Sequence, residues 1–347
     1  MISVIITAYN RKEFIEEAVR SVLENEYDKN AYEIIVVKNY SDEKIDAFLS
    51  FNNIKSIETG DVSIGEQLYQ GISQSRGEVI CFLDDDDKFT RNKLKTVSSK
   101  FASSTDLLYY HNLMLSINDK SQLLPGNIHR NIVSRITVSG HSGSEIARYL
   151  KTRKDFTLYS LMFNLSCVSI RRNTISSYIE SLREIIDGTD WFIFYCALMS
   201  GGKIEFDTEI LTYYRVHRSV SNVLTSKVSL REVADFTISK FDKPGHFSLV
   251  LNKICNRDDA RELLQAKLLE ESIIMRILGK KDHSPKLRGY FMYLRLLKYT
   301  NKPSMKNMIA RLSFIIMALM FPKVTGIMYN MFRRHNIKVR IMSNEIY

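Results

Sequence analysis

Gly77-Glu78-Val79-Ile80-Cys81-Phe82-Leu83-Asp84-Asp85-Asp86-Asp87 decides how the rest of the chain is read. Five apolar residues from Val79 to Leu83, behind a turn residue, predict a buried strand of a parallel sheet, because such strands are covered on both faces and lose polar alternation. The carboxylates then fall at the strand's C-terminal end, the edge of an open α/β sheet where ligands bind. Four adjacent anions repel one another unless a cation lies among them. Alternate carboxylates, Asp84 and Asp86, are the kind of oxygen donors that Mg²⁺ or Mn²⁺ takes while keeping positions open for phosphate oxygens. A solvated strand-to-helix turn, with Asp near a helix N-terminus, is the simpler reading of the same residues.

Upstream, Ser3 to Thr7 is a β-branched apolar run closed by Ala8-Tyr9-Asn10-Arg11, and Phe14, Ala18, Val19, Val22 and Leu23 follow at helical spacing. Glu33 to Val37 reads as a second buried strand, followed by Lys38-Asn39-Tyr40 and a short helix carrying Ile45, Phe48 and Leu49. A weaker strand over Ile54 to Glu58 and a helix over Ile64 to Ser75 lead back to Gly77. Strands alternating with helices at this spacing predict an α/β fold with a doubly wound, mainly parallel sheet. Its loops after Thr7, Val37 and Leu83 converge on one crevice. No Gly-x-Gly-x-x-Gly follows the first strand and no Gly-x-x-x-x-Gly-Lys-Ser/Thr occurs, so a dinucleotide-binding Rossmann domain and a P-loop ATPase are both disfavoured.

The Val4 to Arg11 segment, the Ile34 to Val37 strand, the Gly65 to Gly71 helix start and the acidic strand end together resemble family 2 glycosyltransferases of the GT-A fold. The likeness is firm over roughly the first 100 residues and looser to about Asn222, a span read from those motifs. It implies an inverting transferase that uses a nucleoside-diphosphate sugar. By that resemblance Thr7, Ala8, Tyr9, Asn10, Arg11, Asn39, Gly65, Asp84, Asp85 and Arg215 serve the sugar nucleotide, and Asp84, Asp86 and His217 hold Mn²⁺ or Mg²⁺. The catalytic base is expected in the acidic stretch before Trp191, with Asp190 first and Asp187 second. Asp ahead of an apolar run is equally a good helix N-cap. Arg215 and His217 belong to Tyr213-Tyr214-Arg215-Val216-His217, which resembles the family's late segment at the start of a closing loop, where Arg215 would meet leaving-group charge.

Two positions depart from the family pattern. Lys38-Asn39 stands where an acidic pair is usual, so Asn39 offers a base only a neutral amide oxygen, and Lys38 reads either as a phosphate contact or as a surface lysine. Tyr69 occupies a position where relatives often carry Asn. Further on, Asp106 to Leu115 and Asn164 to Ile170 read as strands, and Asn173 to Glu184 as a helix. A heavily apolar helix follows Asp190 and stops at Gly201-Gly202. His129 and His141 read as loop bystanders.

The formal net charge of +10 is unevenly placed: residues 225–347 hold 23 Lys and Arg against 10 Asp and Glu, and the remainder is slightly acidic. A catalytic domain over 1–224 and a basic α-helical C-terminal region over 225–347 are expected. Mixed Phe, Met, Leu, Lys and Arg in the latter fit either an interfacial helix on anionic lipid or an oligomer contact. The longest apolar run, Ser313 to Pro322, is about half of the roughly 20 residues a membrane span needs. Four scattered cysteines without metal spacing, and an N-terminus without a basic leader, fit a cytoplasmic protein, peripheral on the inner face of the cell membrane if the tail is interfacial. A glycan or polyprenyl-linked acceptor suits that placement. No basic-aromatic groove marks the body for nucleic acid. A non-catalytic nucleotide- or nucleic-acid-binding protein on a degenerate form of the same fold is the rival reading, with Lys38 and the basic tail as its support.

Overall fold

The computed structural model describes residues 1–128, 136–138, 162–216, 235, 238–278 and single positions between 317 and 331. His129, His141, His217 and most of the helices expected over 290–299 and 308–332 lie outside the described residues. The chain divides into two compact units, one of Met1–Ser142 with Leu158–Val216, the other of Gly143–Thr157 with His217–Tyr347.

In the first unit, β1 (Ile2–Ala8), β2 (Tyr32–Lys38), β3 (Lys55–Glu58) and β4 (Val79–Asp84) form a parallel array in the order β3-β2-β1-β4. Alternation along β1 sends Val4, Ile6 and Ala8 to one face, where α1 (Ile15–Leu23), α2 (Glu43–Phe51) and α4 (Lys93–Ser103) supply Ala18, Val19, Val22, Ile45, Leu49, Leu94 and Val97 to a common core. The other face receives α3 (Ile64–Ser73), which lies so close to the sheet that a Cβ on Gly71 would stand 2.6 Å from Ile5 and 3.1 Å from Val37. Ser63 caps α3, its hydroxyl accepting the Glu66 N–H at 3.1 Å. Helices on both faces of a parallel array are the doubly wound arrangement expected.

The sheet then changes character. β9 (Val168–Arg171) inserts antiparallel between β4 and β6 (Leu107–Ile117), and β10 (Lys203–Arg215) runs parallel to β6 and antiparallel to the short β5 (Lys88–Phe89). β7 (Leu123–Ile128) pairs with β6, and β8 (Ile136–Val138) with β10. Two expectations are corrected here. The run from Asn164 begins as a 3₁₀ turn over Leu165–Cys167, and the single helix expected over 173–184 is two short ones, Asn173–Ser176 and Ile179–Leu182. The arginines that end β9 are fasteners: Arg172 donates to the carbonyls of Gly77 and Ile72 at 2.8 and 3.0 Å, and Arg171 to those of Phe101 and Leu107 at 2.9 and 3.2 Å. They clamp the end of the sheet opposite the acidic run.

The helix Thr189–Ser200 is buried nearly all round and stops at Gly201, whose φ of 73° provides the left-handed cap. In the second unit the helices Phe247–Ile254 and Asp258–Ile277 meet across a buried polar group, with Ser248 donating to Glu271 at 2.7 Å and His246 bonded to it at 3.2 Å.

Candidate active site

β1 and β4 pair in register up to Thr7 and Asp84, and Ala8 pairs with Lys38 of β2, so all three strands end together. The chain turns immediately after Asp84: the Asp87 N–H donates to the Asp84 carbonyl at 3.1 Å, closing a tight turn. That turn brings Asp87 back beside Asp84 and Asp86, with carboxylate oxygens of all three within 4.8 Å of one another. The expected pair of alternate aspartates is thus a trio. Asp85 holds Arg11, whose Nε donates to its carboxylate at 3.1 Å, while the Arg11 guanidinium also pairs with Asp86 at 2.7 Å and so bridges the two.

Removal from water pushes the Asp84 carboxyl well above the ordinary range, and the charges of Asp87, Asp86 and Asp85 push the same way against Arg11. Burial and then Asp86 raise Asp87 likewise. A cluster of hard oxygen donors with Asp87 buried and Asp84 and Asp86 half-buried, carrying more negative than positive charge, is chemically suited to a small divalent cation that keeps positions open to solvent or phosphate. Asp84, Asp86 and Asp87 therefore fit the group.

The turn is braced by residues far away in sequence. Ser166 accepts the Asp84 N–H at 3.0 Å. Asn164 donates its side-chain amide to Asp87 at 2.7 Å, and the Arg215 N–H donates to the other Asp87 oxygen at 2.9 Å. Arg215 itself is not where a leaving group would find it. Its side chain is 0% exposed, and the guanidinium donates to the carbonyls of Asp86, Asn118 and Asp119 at 2.8, 3.0 and 3.0 Å, to Glu17 at 2.9 Å and to Ser121 at 3.0 Å. Phe14 lies under it, 4.3 Å from ring centre to guanidinium carbon. Every donor is committed, so in this arrangement Arg215 is a clasp behind the acidic turn. This corrects the expectation of a leaving-group contact.

Around the ends of β1 and β2, Asn10 adopts φ 53° and forms a double hydrogen bond with Asn39, its N–H donating to the Asn39 amide oxygen at 2.8 Å and its own Oδ1 accepting from Nδ2 at 3.0 Å. The Asn39 oxygen expected for a base is thus partly engaged. Tyr9 is 46% exposed and donates to Asp61. Thr7 and Ala8 are buried, and the Ala8 carbonyl accepts from Asn39 N and Gln67 Nε2 at 3.3 and 3.2 Å. Lys38 fits neither expectation: it is 1% exposed, donates to the Tyr40 carbonyl at 2.6 Å and pairs with Asp46 and Glu58 at 3.0 and 3.5 Å.

Gly65 joins this half of the site to the segment that leads to Asp190. Its N–H donates to the Ile185 carbonyl at 2.9 Å, and an added Cβ would stand 2.0 and 2.6 Å from the carbonyls of Leu182 and Ile185. Tyr69 carries the Arg183 guanidinium 4.7 Å above its ring. Past Asp187 the left-handed Gly188 (φ 71°) is the helix N-cap, which displaces the simple N-cap reading of Asp190. Asp190 lies in the first turn and accepts the Trp191 N–H at 2.9 Å. Burial raises its carboxyl to about 6, hydrogen bonds from the backbone N–H groups of Trp191, Asp190 and Asn164 oppose the rise, and Asp187 adds to it. Asn164 and Ser166 escaped the sequence reading because nothing in an apolar strand pattern signals a polar bracket. The Asn before Leu-Ser, able to take a positive φ, was the available signal.

The chain matches the family model described as glycosyl transferase family 2 over residues 3–176. It is 28% identical over 247 residues to an uncharacterized glycosyltransferase of Rickettsia typhi, covering 68% of this chain and 69% of that one. It is 22% identical over 237 residues to the poly(ribitol-phosphate) beta-N-acetylglucosaminyltransferase TarS of Staphylococcus aureus, covering 65% of this chain and 37% of TarS. The crystal structure of S. aureus TarS 1–349 in complex with UDP-GlcNAc superposes with a TM-score of 0.57 at 14% identity, over 96% of this chain and 92% of that one. That likeness concerns the fold, and with the family match it leads to one conclusion: the chain belongs to glycosyl transferase family 2 and is a glycosyltransferase of the GT-A fold.

Proposed function

We propose that the chain is an inverting, metal-dependent transferase that moves a sugar from a nucleoside-diphosphate sugar to an acceptor hydroxyl or lipid phosphate. The observation that carries this reading is the trio Asp84, Asp86 and Asp87, gathered within 4.8 Å at the strand ends with Asp87 buried and the other two half-buried. Bound there, Mn²⁺ or Mg²⁺ would neutralise the diphosphate and withdraw charge from its oxygens. Asp190, raised by burial toward neutrality, takes the proton of an acceptor hydroxyl. The acceptor oxygen then bonds to the anomeric carbon as the bond to the diphosphate oxygen breaks, and the nucleoside diphosphate leaves with the electron pair. One displacement inverts the anomeric centre. Arg11, 27% exposed beside the turn, is the cation placed to meet the diphosphate in the role first assigned to Arg215. Tyr9, Asn10 and Asn39 border the base.

The fold's likeness to a protein crystallised with UDP-GlcNAc makes uridine-diphosphate sugars the first donors to try. The burial and pairing of Lys38 remove one support of the nucleic-acid-binding rival. The basic region from 225 is read as a surface for anionic lipid, which would bring a polyprenyl-linked or glycan acceptor to the enzyme at the inner face of the cell membrane. Met320, Ile327, Met328 and Met331 are all more than half exposed, which suits that role. No helix among the described residues is long and apolar enough to cross a membrane. Self-association through the same region is the alternative, and light scattering beside liposome co-sedimentation separates the two.

The deciding experiment incubates the protein with a panel of sugar nucleotides and Mn²⁺ and follows nucleoside-diphosphate release. Release that requires Mn²⁺ and vanishes in Asp84→Ala, Asp86→Ala is expected, with at least a hundredfold loss in Asp190→Asn. Full activity in the double variant would remove the metal assignment, and full activity in Asp190→Asn would move the base elsewhere.

A further inference from the structure

Asn164 is 6% exposed and has φ 75° and ψ 109°, a backbone state that non-glycine residues seldom adopt. The side-chain Nδ2 donates to Asp87 at 2.7 Å. The Asn164 Oδ1 accepts the Ser166 N–H at 2.8 Å, which fixes the amide the right way round. The carbonyl just before it, that of Phe163, is bonded to His111 Nε2 at 3.1 Å. Ser166, two residues on, accepts the Asp84 N–H with its hydroxyl at 3.0 Å. Asn164, anchored on both sides, thus holds one carboxylate of the acidic turn.

We propose that Asn164 is a positioning residue that sets the orientation of the Asp87 carboxylate, and with it the acidic turn, its side-chain amide donating to Asp87 while its own oxygen is fixed by the Ser166 N–H. This rests on the transferase reading above. Strain retained at such a position is commonly tied to function. The bond to Asp87 comes from a donor. It therefore orients that carboxylate while leaving lone pairs for a cation, as the outer partners of metal ligands do.

Two variants separate this role from plain structural support. Asn164→Gly accepts the same φ without strain and loses only the amide. Asn164→Asp keeps the size but replaces the donor facing Asp87 with a carboxylate. Mn²⁺ binding is read from loss of the free-ion EPR signal, kcat and KM from nucleoside-diphosphate release, and folding from thermal melts. For Asn164→Gly the expected result is a melt lowered by a few degrees at most, since the buried Ser166 N–H loses its acceptor while the φ strain is relieved, with Mn²⁺ binding of the folded protein weakened about 10- to 100-fold and kcat at saturating Mn²⁺ lowered by a similar factor. KM for the sugar nucleotide should change far less, and Asn164→Asp should lose more on each count. A purely structural role would lower the melt in the same way but leave Mn²⁺ affinity and kcat of the folded fraction within about twofold of the wild type in both variants, which overturns the proposal. A wild-type protein that neither binds Mn²⁺ nor releases nucleoside diphosphate would defeat the transferase reading first, and this inference with it.

Discussion

Replacing Arg215 with alanine tests whether its guanidinium is a clasp or a ligand contact. The substitution strips donors from the carbonyls of Asp86, Asn118 and Asp119 and from Ser121, and removes the ring contact with Phe14. A buried acceptor left without its donor costs about 1–3 kcal/mol before water enters the space. The Glu17 partner is 42% exposed and adds little, because solvent screens that pair. With water recovering part of the loss, the sum is about 3–5 kcal/mol, the usual penalty for breaking a buried charged cluster from one side. For a unit of about 200 residues this lowers Tm by roughly 6–20 °C. Arg215→Lys keeps the charge but not the five-donor fork, and is expected to lose about half as much. The assay is thermal unfolding by circular dichroism alongside KM for the sugar nucleotide. An Arg215→Ala protein that melts within about 2 °C of the wild type yet loses kcat/KM would refute the clasp and return the side chain to the diphosphate.

At saturating Mn²⁺, activity should fall on the acid side along a limb centred near pH 6, because Asp190, the proposed base, must be a carboxylate and burial raises it to about 6; a limb near pH 4 in kcat would contradict the assignment. The same shift has a stability sign. A carboxyl whose value is higher folded than unfolded stabilises below its unfolded value, and that contribution is lost as pH rises through about 6. Asp190→Asn should therefore melt a few degrees higher than the wild type at pH 7 while losing activity, and equal melts would show that Asp190 is not desolvated. Gly65→Ala drives a methyl into two backbone carbonyls that no rotamer change can relieve, and should cost more than about 2 kcal/mol together with most of the activity. Gly60→Ala, where nothing lies within 4 Å, is the control expected to melt unchanged.

The parallel half of the sheet was legible because its strands are short apolar runs separated by helical periodicity, and the acidic run marked its own strand end. Insertion of β9 between β4 and β6 was not, since Val168 to Arg171 looks like any apolar strand and its partners lie 57 to 92 residues away in sequence. The site divided in the same way. Asp84 and Asp86 stand out by composition alone, whereas Asp87 joined them only through the turn that its own N–H closes. Arg215 and Lys38 misled for one shared reason. A cation in a suggestive motif looks available in sequence, and only tertiary burial reveals that its donors are already committed.

The braces of the acidic turn also bear on when the site comes into being. Ser166 holds Asp84 across 82 positions of chain, the Arg215 N–H holds Asp87 across 128, and the Arg215 guanidinium holds Glu17 across 198. Closing loops of that length is slow and is rewarded only once both ends are ordered. During synthesis the four aspartates emerge long before either brace exists, so the nascent chain carries a flexible acidic run with no fixed affinity for a cation. On the proposed metal reading, ordered cation binding should then appear as one of the last events of folding, and metal affinity would serve as a clock for completion of the fold.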